Sequence, residues 1–271
     1  MQPPDSYFRS GEIRLRYRDE GEGVHVVFIH GWTTDLDVWD PQAAVLGRSM
    51  RVIRLDRRGF GLSGGRPAIA ADVDDLCVLI DLLQIPRVSI VGMSQGARVA
   101  LAFALRFTER VVSLVLDGPP NDIGDPGSAA DEDFSLEEFR ELAGSGGIEA
   151  FRHVWKNHPL MQLHSDHTGT RVLLARMLAR YPGRDLLAPT PEPSQPIEAG
   201  TLARFPKPVL VVNGEFDTAS RLQTGRRLSR QFPLVERAVI PNAGHLPNLD
   251  NPGAYNKVIR AFMRRRSRAA A

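Results

Sequence analysis

The chain has 271 residues, of which 42% are hydrophobic and 24% are charged, so it is long and apolar enough to bury one large core. Its formal net charge of +2 and its dispersed arginines do not indicate a nucleic-acid partner, and the RRRSR cluster near the C-terminus is interpreted as a solvated helix end. A single cysteine, Cys77, excludes an intrachain disulfide, and the first residues lack the apolar core of a signal peptide, so we expect a cytoplasmic location. Every apolar run is far shorter than the ~18 residues of a membrane helix, so we expect no membrane span.

The first part of the chain alternates short apolar runs with segments of helical spacing. EIRLRYRDEG alternates polar and apolar residues, as expected of an antiparallel strand with one solvent-exposed face. Four β-branched runs follow: HVVFIHG, RVIRLD, RVSIVGM and VVSLVLDG. Helical spacing separates them, for example in DVDDLCVLIDLLQI and QGARVALAFALRF. Buried strands that alternate with helices predict an α/β fold, with a parallel sheet covered on both faces.

The strand pattern stops after Gly118 and resumes only at KPVLVVNGEFD. Between them lie the turn-rich stretch PPNDIGDPGSAADEDFS, three helical pieces and the linker APTPEPSQP. VERAVIPNAGH then predicts a last strand and NPGAYNKVIRAFMRR a closing helix. We therefore predict that residues 1–118 and 204–271 form one α/β core and that residues 119–203 are a helical lid inserted between two strands of its sheet.

The pentapeptide GMSQG, with Ser94 at its centre, lies between a β-branched strand and an amphipathic helix. In that context G-x-S-x-G is the pattern of a nucleophile elbow, a strained turn that displays its serine. A Cβ two residues before or after the serine would crowd this turn, which accounts for Gly92 and Gly96. The N-terminus of the following helix directs its free N–H groups at the same point. We predict that Ser94 is a nucleophile.

A serine hydroxyl is a weak nucleophile until a histidine, itself held by a carboxylate, takes its proton. Of the seven histidines, only His245 follows the final strand, where its side chain can reach the carboxyl edge of a parallel sheet. Asp217 follows the preceding strand and completes the chain order Ser, Asp, His. Asp117 and Glu215 remain alternatives, although the Gly-x-x-Asp spacing favours Asp217.

Acyl transfer also requires N–H donors for the oxyanion that develops on the attacked carbonyl. We expect one from the backbone of Gln95, directly after the nucleophile, and a second from the backbone of Trp32 in FIHGWTT. His30 in the same segment is expected to order this loop by hydrogen bonding. The side chains expected to contact the substrate are Trp32, Met93, Trp155 and Leu246.

Together, HGW, DRRGFGLS, GMSQG, NGEFD and NAGH resemble the α/β-hydrolase superfamily over most of the chain. HGW, the pair Trp39 and Gln42, and DRRGFGLS are similar to its esterase, lactonase and cofactor-free perhydrolase branches. The resemblance implies an eight-stranded, mostly parallel sheet, a Ser-Asp-His triad and a helical cap after the sixth strand. Ala97 stands where many relatives have a second glycine, so this position does not assign a subfamily.

These predictions indicate a serine hydrolase of small-molecule carboxylic esters or lactones that requires no cofactor and no metal. A serine at the elbow argues against epoxide hydrolysis and dehalogenation, and the lid histidines match no recurring metal-ligand spacing. Carbon–carbon bond hydrolysis of a vinylogous diketone and perhydrolysis are alternative reactions on the same residues. Outside enzymes, the alternative is a ligand-binding receptor on the same fold. The sequence leaves the oligomeric state open.

Overall fold

The protein is described by a computed structural model that covers residues 3–124, 133–187 and 200–269. Eight strands in this part of the chain form one sheet, in the order β1-β2-β4-β3-β5-β6-β7-β8. β2 is antiparallel to β1 and β4, and all the other neighbouring pairs are parallel. The strands are β1 (Ser6–Ser10), β2 (Ile13–Glu20), β3 (Val24–Ile29), β4 (Met50–Leu55), β5 (Val88–Met93), β6 (Val111–Asp117), β7 (Val209–Gly214) and β8 (Val235–Ile240). The predicted eight-stranded, mostly parallel α/β fold is confirmed.

Helices cover both faces of the sheet. Along β3, Val26 and Phe28 point to one apolar core, whereas Val27 and Ile29 point to the other. This alternation follows from the period of two in a strand, so a continuous apolar run buries both of its faces. The described helices are α1 (Asp40–Leu46), α2 (Ile69–Leu82), α3 (Gln95–Arg106), α4 (Leu136–Trp155), α5 (Thr168–Arg180), α6 (Ala219–Leu228), α7 (Pro247–Asp250) and α8 (Pro252–Ala269).

The segment between β6 and β7 contains α4 and α5, and its described residues include no strand. Two of the predicted helical pieces join into α4, which is kinked at Gly147, where φ is 74°. The apolar faces of both helices pack on the core that contains Trp32 and Trp39. The predicted linker, residues 188–196, lies outside the described residues, as does much of the turn-rich stretch, residues 125–132. The division into core and lid therefore stays a prediction.

The closing helix predicted at the C-terminus is α8, which begins at Pro252. Tyr255, Ile259 and Phe262 are buried on one side of it, against the same core as α4 and α5. Among the described residues, no helix combines the length and the apolar character that crossing a membrane requires.

Candidate active site

Ser94 forms the turn between β5 and α3, with φ of 51° and ψ of −121°. A positive φ is unusual for a residue with a side chain and marks a strained backbone. A Cβ on Gly92 would lie 2.4 Å from the carbonyl oxygen of Gly96, and a Cβ on Gly96 would lie 2.5 Å from that of His30. Both positions therefore require glycine, for the steric reason that the sequence pattern suggested.

His245 lies in the loop after β8, and its Nδ1 is 2.9 Å from Oδ1 of Asp217. Both side chains are buried. The Asp217 carboxylate also accepts hydrogen bonds from the Asn213 amide, at 3.2 Å, and from the Thr218 backbone N–H, at 3.0 Å. A carboxylate at Nδ1 favours the tautomer in which Nδ1 carries the proton, which leaves Nε2 able to accept one. His245 and Ser94 line the same cavity.

The two alternative acids are engaged elsewhere. Asp117, at the end of β6, accepts a hydrogen bond from the Tyr255 hydroxyl at 3.0 Å. Burial raises the pKa of Asp117 well above its usual range; the Tyr255 hydrogen bond opposes this increase, and the charge of Asp217 adds to it. Glu215 accepts a hydrogen bond from the Asn242 N–H at 2.9 Å. Of the three acids, Asp217 is the one that the structure brings to His245.

The HGW segment, which follows β3, lies against the elbow. A Cβ on Gly31 would lie 3.3 Å from the Cβ of Ser94, so the backbone approaches the serine closely. His30 is fully buried, with Nδ1 2.7 Å from the Gly31 carbonyl oxygen and Nε2 2.9 Å from the Arg57 N–H. Burial and the charge of Arg57 lower the pKa of His30 well below its usual value, against the raising effect of the Gly31 hydrogen bond. Because Nε2 accepts the Arg57 N–H, it carries no proton, so His30 is a neutral ring that links two backbone segments.

The cavity beside Ser94 is mostly apolar. All four side chains predicted to contact a substrate lie on its wall, and so do both residues predicted to supply oxyanion donors. Its apolar lining is Trp32, Met93, Phe134, Trp155, Leu160, Met161 and Leu246. The Trp32 ring stacks on Phe134, with ring centroids 5.1 Å apart, and the Trp155 indole N–H donates to the Thr33 hydroxyl at 2.7 Å. Such walls exclude water from a reaction centre.

Two arginines on the cavity wall had not been predicted from the sequence. Arg98 on α3 binds both carboxylate oxygens of Asp122 at 2.8 Å, and Arg221 on α6 donates from Nε to Asp133 at 2.6 Å. Arg98 lies in the first turn of α3, four residues after Ser94, and this nearness in sequence is the signal that could have identified it.

Ion pairs join α5 to the segment that follows HGW. Arg180 donates from Nε and Nη2 to the two carboxylate oxygens of Asp35, at 2.5 Å each, and from Nη2 to Asp37 at 2.5 Å. Burial raises the pKa of Asp35, and the hydrogen bond and charge of Arg180 oppose this increase. The two aspartates lie between HGW and Trp39 in the sequence, but nothing in their spacing indicates a partner 145 and 143 positions away.

Asp250, on α7, was also missed from the sequence. Its carboxylate accepts hydrogen bonds from the N–H of Gly244, next to His245, at 2.8 Å, and from the N–H groups of His164 and Ser165, at 2.6 and 3.0 Å. It therefore holds the histidine loop against the segment between α4 and α5. Within the described part of the chain, no group of three or more His, Cys, Asp or Glu side chains is placed to bind a metal ion.

Comparison with known proteins agrees with this fold. Residues 24–252 match the sequence model of the alpha/beta hydrolase fold family. The chain is 26% identical to the pimeloyl-[acyl-carrier protein] methyl ester esterase of Nitrosospira multiformis, over 94% of this chain and 100% of that protein. It is 29% identical to the 2-hydroxymuconate semialdehyde hydrolase of a Pseudomonas species, over 95% and 93% of the two chains. Among solved structures, a thermophilic esterase from Thermogutta terrifontis is similar, with a TM-score of 0.82 and 26% identity over 97% of this chain and 99% of that one. The protein with this elbow, cavity and sheet therefore belongs to the α/β-hydrolase fold family.

Proposed function

We propose that the protein is a serine hydrolase that cleaves carboxylic esters or lactones through an acyl-enzyme intermediate. One observation carries the proposal: Ser94 on its strained turn and His245, hydrogen-bonded to Asp217 at 2.9 Å, line a single cavity. In this proposal Ser94 is the nucleophile, His245 is the general base and then the general acid, and Asp217 orients the imidazole.

In the first half of the reaction, Ser94 Oγ attacks the substrate carbonyl carbon while Nε2 of His245 takes the hydroxyl proton. The carbonyl oxygen becomes an oxyanion in a tetrahedral intermediate. When the intermediate collapses, the bond to the alcohol oxygen breaks, and His245 returns the proton to that oxygen. In a lactone the alcohol stays attached to the acyl group. In the second half, water attacks the acyl-enzyme by the same proton route and releases the carboxylic acid.

The backbone N–H groups of Trp32 and Gln95 are the proposed donors to the oxyanion. Both residues line the cavity: Gln95 follows Ser94 in the elbow, and Trp32 belongs to the HGW segment that lies against it. Losing one such donor typically costs ~2.7–4 kcal/mol of transition-state stabilisation, so their placement matters more than the chemistry of their side chains.

The apolar side chains on the cavity wall favour a substrate with an apolar acyl or alcohol portion that packs against them. Two of the similar proteins are named as esterases, one of them for a methyl ester. Carbon–carbon bond hydrolysis is the second candidate, because the relative at 29% identity is a semialdehyde hydrolase. Analysis of the products from an ester, a lactone and a vinylogous diketone separates these reactions.

The proposal is tested with Ser94→Ala and, as a matched control, Ser145→Ala, which alters an exposed serine on α4. We expect a fluorophosphonate probe to label the wild type and the control but not Ser94→Ala. Turnover of a short-chain p-nitrophenyl ester should fall by about 10⁴-fold or more in Ser94→Ala. Wild-type turnover by Ser94→Ala would refute the mechanism, and an unlabelled wild-type protein would favour the receptor alternative.

A further inference from the structure

Arg57 follows β4 in the DRRGFGLS segment, and its side chain is almost completely buried. In the sheet, β4 lies next to β3, and β3 lies next to β5. The carboxyl ends of these three parallel strands carry Arg57, the HGW segment and the elbow, respectively. Arg57 is thus placed to contact both segments that flank the reaction centre, and it does so with its backbone and its side chain.

The Arg57 backbone acts on the HGW segment through His30. Its N–H donates to Nε2 of His30 at 2.9 Å, so the proton of this neutral ring is on Nδ1 and is donated to the Gly31 carbonyl oxygen at 2.7 Å. The Gly31 carbonyl and the Trp32 N–H belong to one planar peptide group. A hydrogen bond that fixes the direction of that carbonyl therefore also fixes the direction of the Trp32 N–H.

The Arg57 side chain acts on the elbow through Gln95. Its Nη1 donates to Oε1 of Gln95 at 2.7 Å. The rest of the guanidinium is held in place: Nε and Nη2 both lie 2.8 Å from Oδ2 of Asp72 on α2, and the Phe60 ring centroid is 4.8 Å from its central carbon. Gln95 is the first residue of α3, where the backbone N–H has no partner within the helix.

We propose that Arg57 is a positioning residue that aligns the Trp32 and Gln95 N–H groups on one oxyanion, and this proposal rests on the function proposed above. Donors to an oxyanion act only at about 2.7–3.1 Å, and a misplacement of about 1 Å can cost 100-fold in rate. One residue contacts both donor segments, and its guanidinium is held by Asp72, so the separation of the two segments depends on the position of this buried residue. Arg57 is not among the described residues that line the cavity, so in this proposal it acts through the two donor segments.

The experiment compares Arg57→Met, Gln95→Met and the double variant with the wild type. Gln95→Met keeps the backbone N–H and the Arg57–Asp72 ion pair and removes only the side-chain acceptor, so it tests the link even if Arg57→Met folds poorly. Arg58→Met is the matched control: Arg58 makes an equivalent two-point ion pair with Asp75 of α2, at 2.7 and 2.6 Å. It therefore removes a similar ion pair to the same helix while leaving the Arg57–Gln95 bond in place.

For the wild type, labelling by a fluorophosphonate and turnover of a p-nitrophenyl ester are measured first, because their absence would overturn the proposed function rather than this inference. We then expect Gln95→Met and Arg57→Met each to lower kcat by about tenfold with KM unchanged, and the double variant to lose no more than Arg57→Met alone. The inhibition constant of a trifluoromethyl ketone, whose adduct carries an oxyanion, should rise in parallel. Arg58→Met should keep wild-type values. Wild-type kcat in Gln95→Met, or effects that multiply in the double variant, would overturn the inference.

Discussion

Replacing Arg180 with methionine removes the cation that joins α5 to the segment after HGW. Asp35 would lose two hydrogen bonds and Asp37 one, all at 2.5 Å in the wild type. The side chains of Asp35 and Asp37 are 1% and 5% exposed, so water cannot replace the lost partner without local opening. The methionine keeps most of the apolar stem of the arginine, which limits the change to charge and hydrogen bonding.

The expected loss follows from burial. Removing one partner of a buried ion pair costs about 3–5 kcal/mol, and because the Arg180 side chain is 25% exposed we take the lower end, about 3 kcal/mol. An unfolding entropy of about 2.1 cal/mol/K per residue, over 271 residues, makes about 0.6 kcal/mol/K. The melting temperature of Arg180→Met should therefore fall by about 5 °C.

The loss should also depend on pH. Burial already raises the pKa of Asp35 above its ordinary value of 3.8, and Arg180 opposes that increase. Without Arg180 the pKa of Asp35 rises further in the folded state alone, so the folded variant binds more protons than the folded wild type at mildly acidic pH. Stability of the variant then falls more steeply as pH rises, and its deficit should be smaller at pH 5 than at pH 8.

The melting temperatures of the wild type and of Arg180→Met are measured at pH 5 and at pH 8, with Arg176→Met as the control. Arg176 lies one turn earlier on α5, is 55% exposed and is 3.6 Å from Asp37, so its loss should cost less than about 1 kcal/mol. Equal melting temperatures for the two variants, or a deficit of Arg180→Met that does not change with pH, would refute the reasoning.

Two further pairs of variants test the site and the backbone. Asp217→Asn should lower kcat on a p-nitrophenyl ester by about 10⁴-fold because the wrong imidazole tautomer is favoured, whereas Asp117→Asn should keep kcat within about threefold. Comparable losses in the two would mean that the orienting acid is misassigned. Gly92→Ala should destabilise the fold by about 3 kcal/mol or more, because the new Cβ would lie 2.4 Å from a backbone oxygen. Gly144→Ala, in the helical turn before the kink of α4 and with nothing within 4 Å of the new Cβ, should stabilise it by about 0.5–1 kcal/mol. The free energies of unfolding of Gly92→Ala and Gly144→Ala are compared with that of the wild type by chemical or thermal unfolding. A loss of stability in Gly144→Ala would contradict the steric account.

Much of the fold could be predicted because its signals are local. The β-branched runs that form β3 to β7 are buried on both faces of the sheet. A strand that is buried on both faces has a continuous apolar sequence, so these strands could be predicted. β1 (Ser6–Ser10) carried no such signal, because SYFRS is short and half polar, and its place in the sheet comes from pairing with β2. Eight strands were expected only through the family resemblance. The kink in α4 was likewise not visible, because it depends on the backbone conformation of Gly147, whose φ is 74°.

The elbow at Ser94, the histidine after the last strand and the parallel α/β fold that carries them could all be predicted from the sequence alone. These follow from constraints between near neighbours: glycines that must flank a strained serine, and the period of strands that must be buried. The position of Asp217 beside His245, and the contacts of Arg57 with Gln95 and of Arg180 with Asp35, became visible in the folded structure. The physical reason is that hydrogen bonds and ion pairs depend on directions and distances of a few ångströms between residues far apart in the chain, and these directions exist only after the strands and helices have packed.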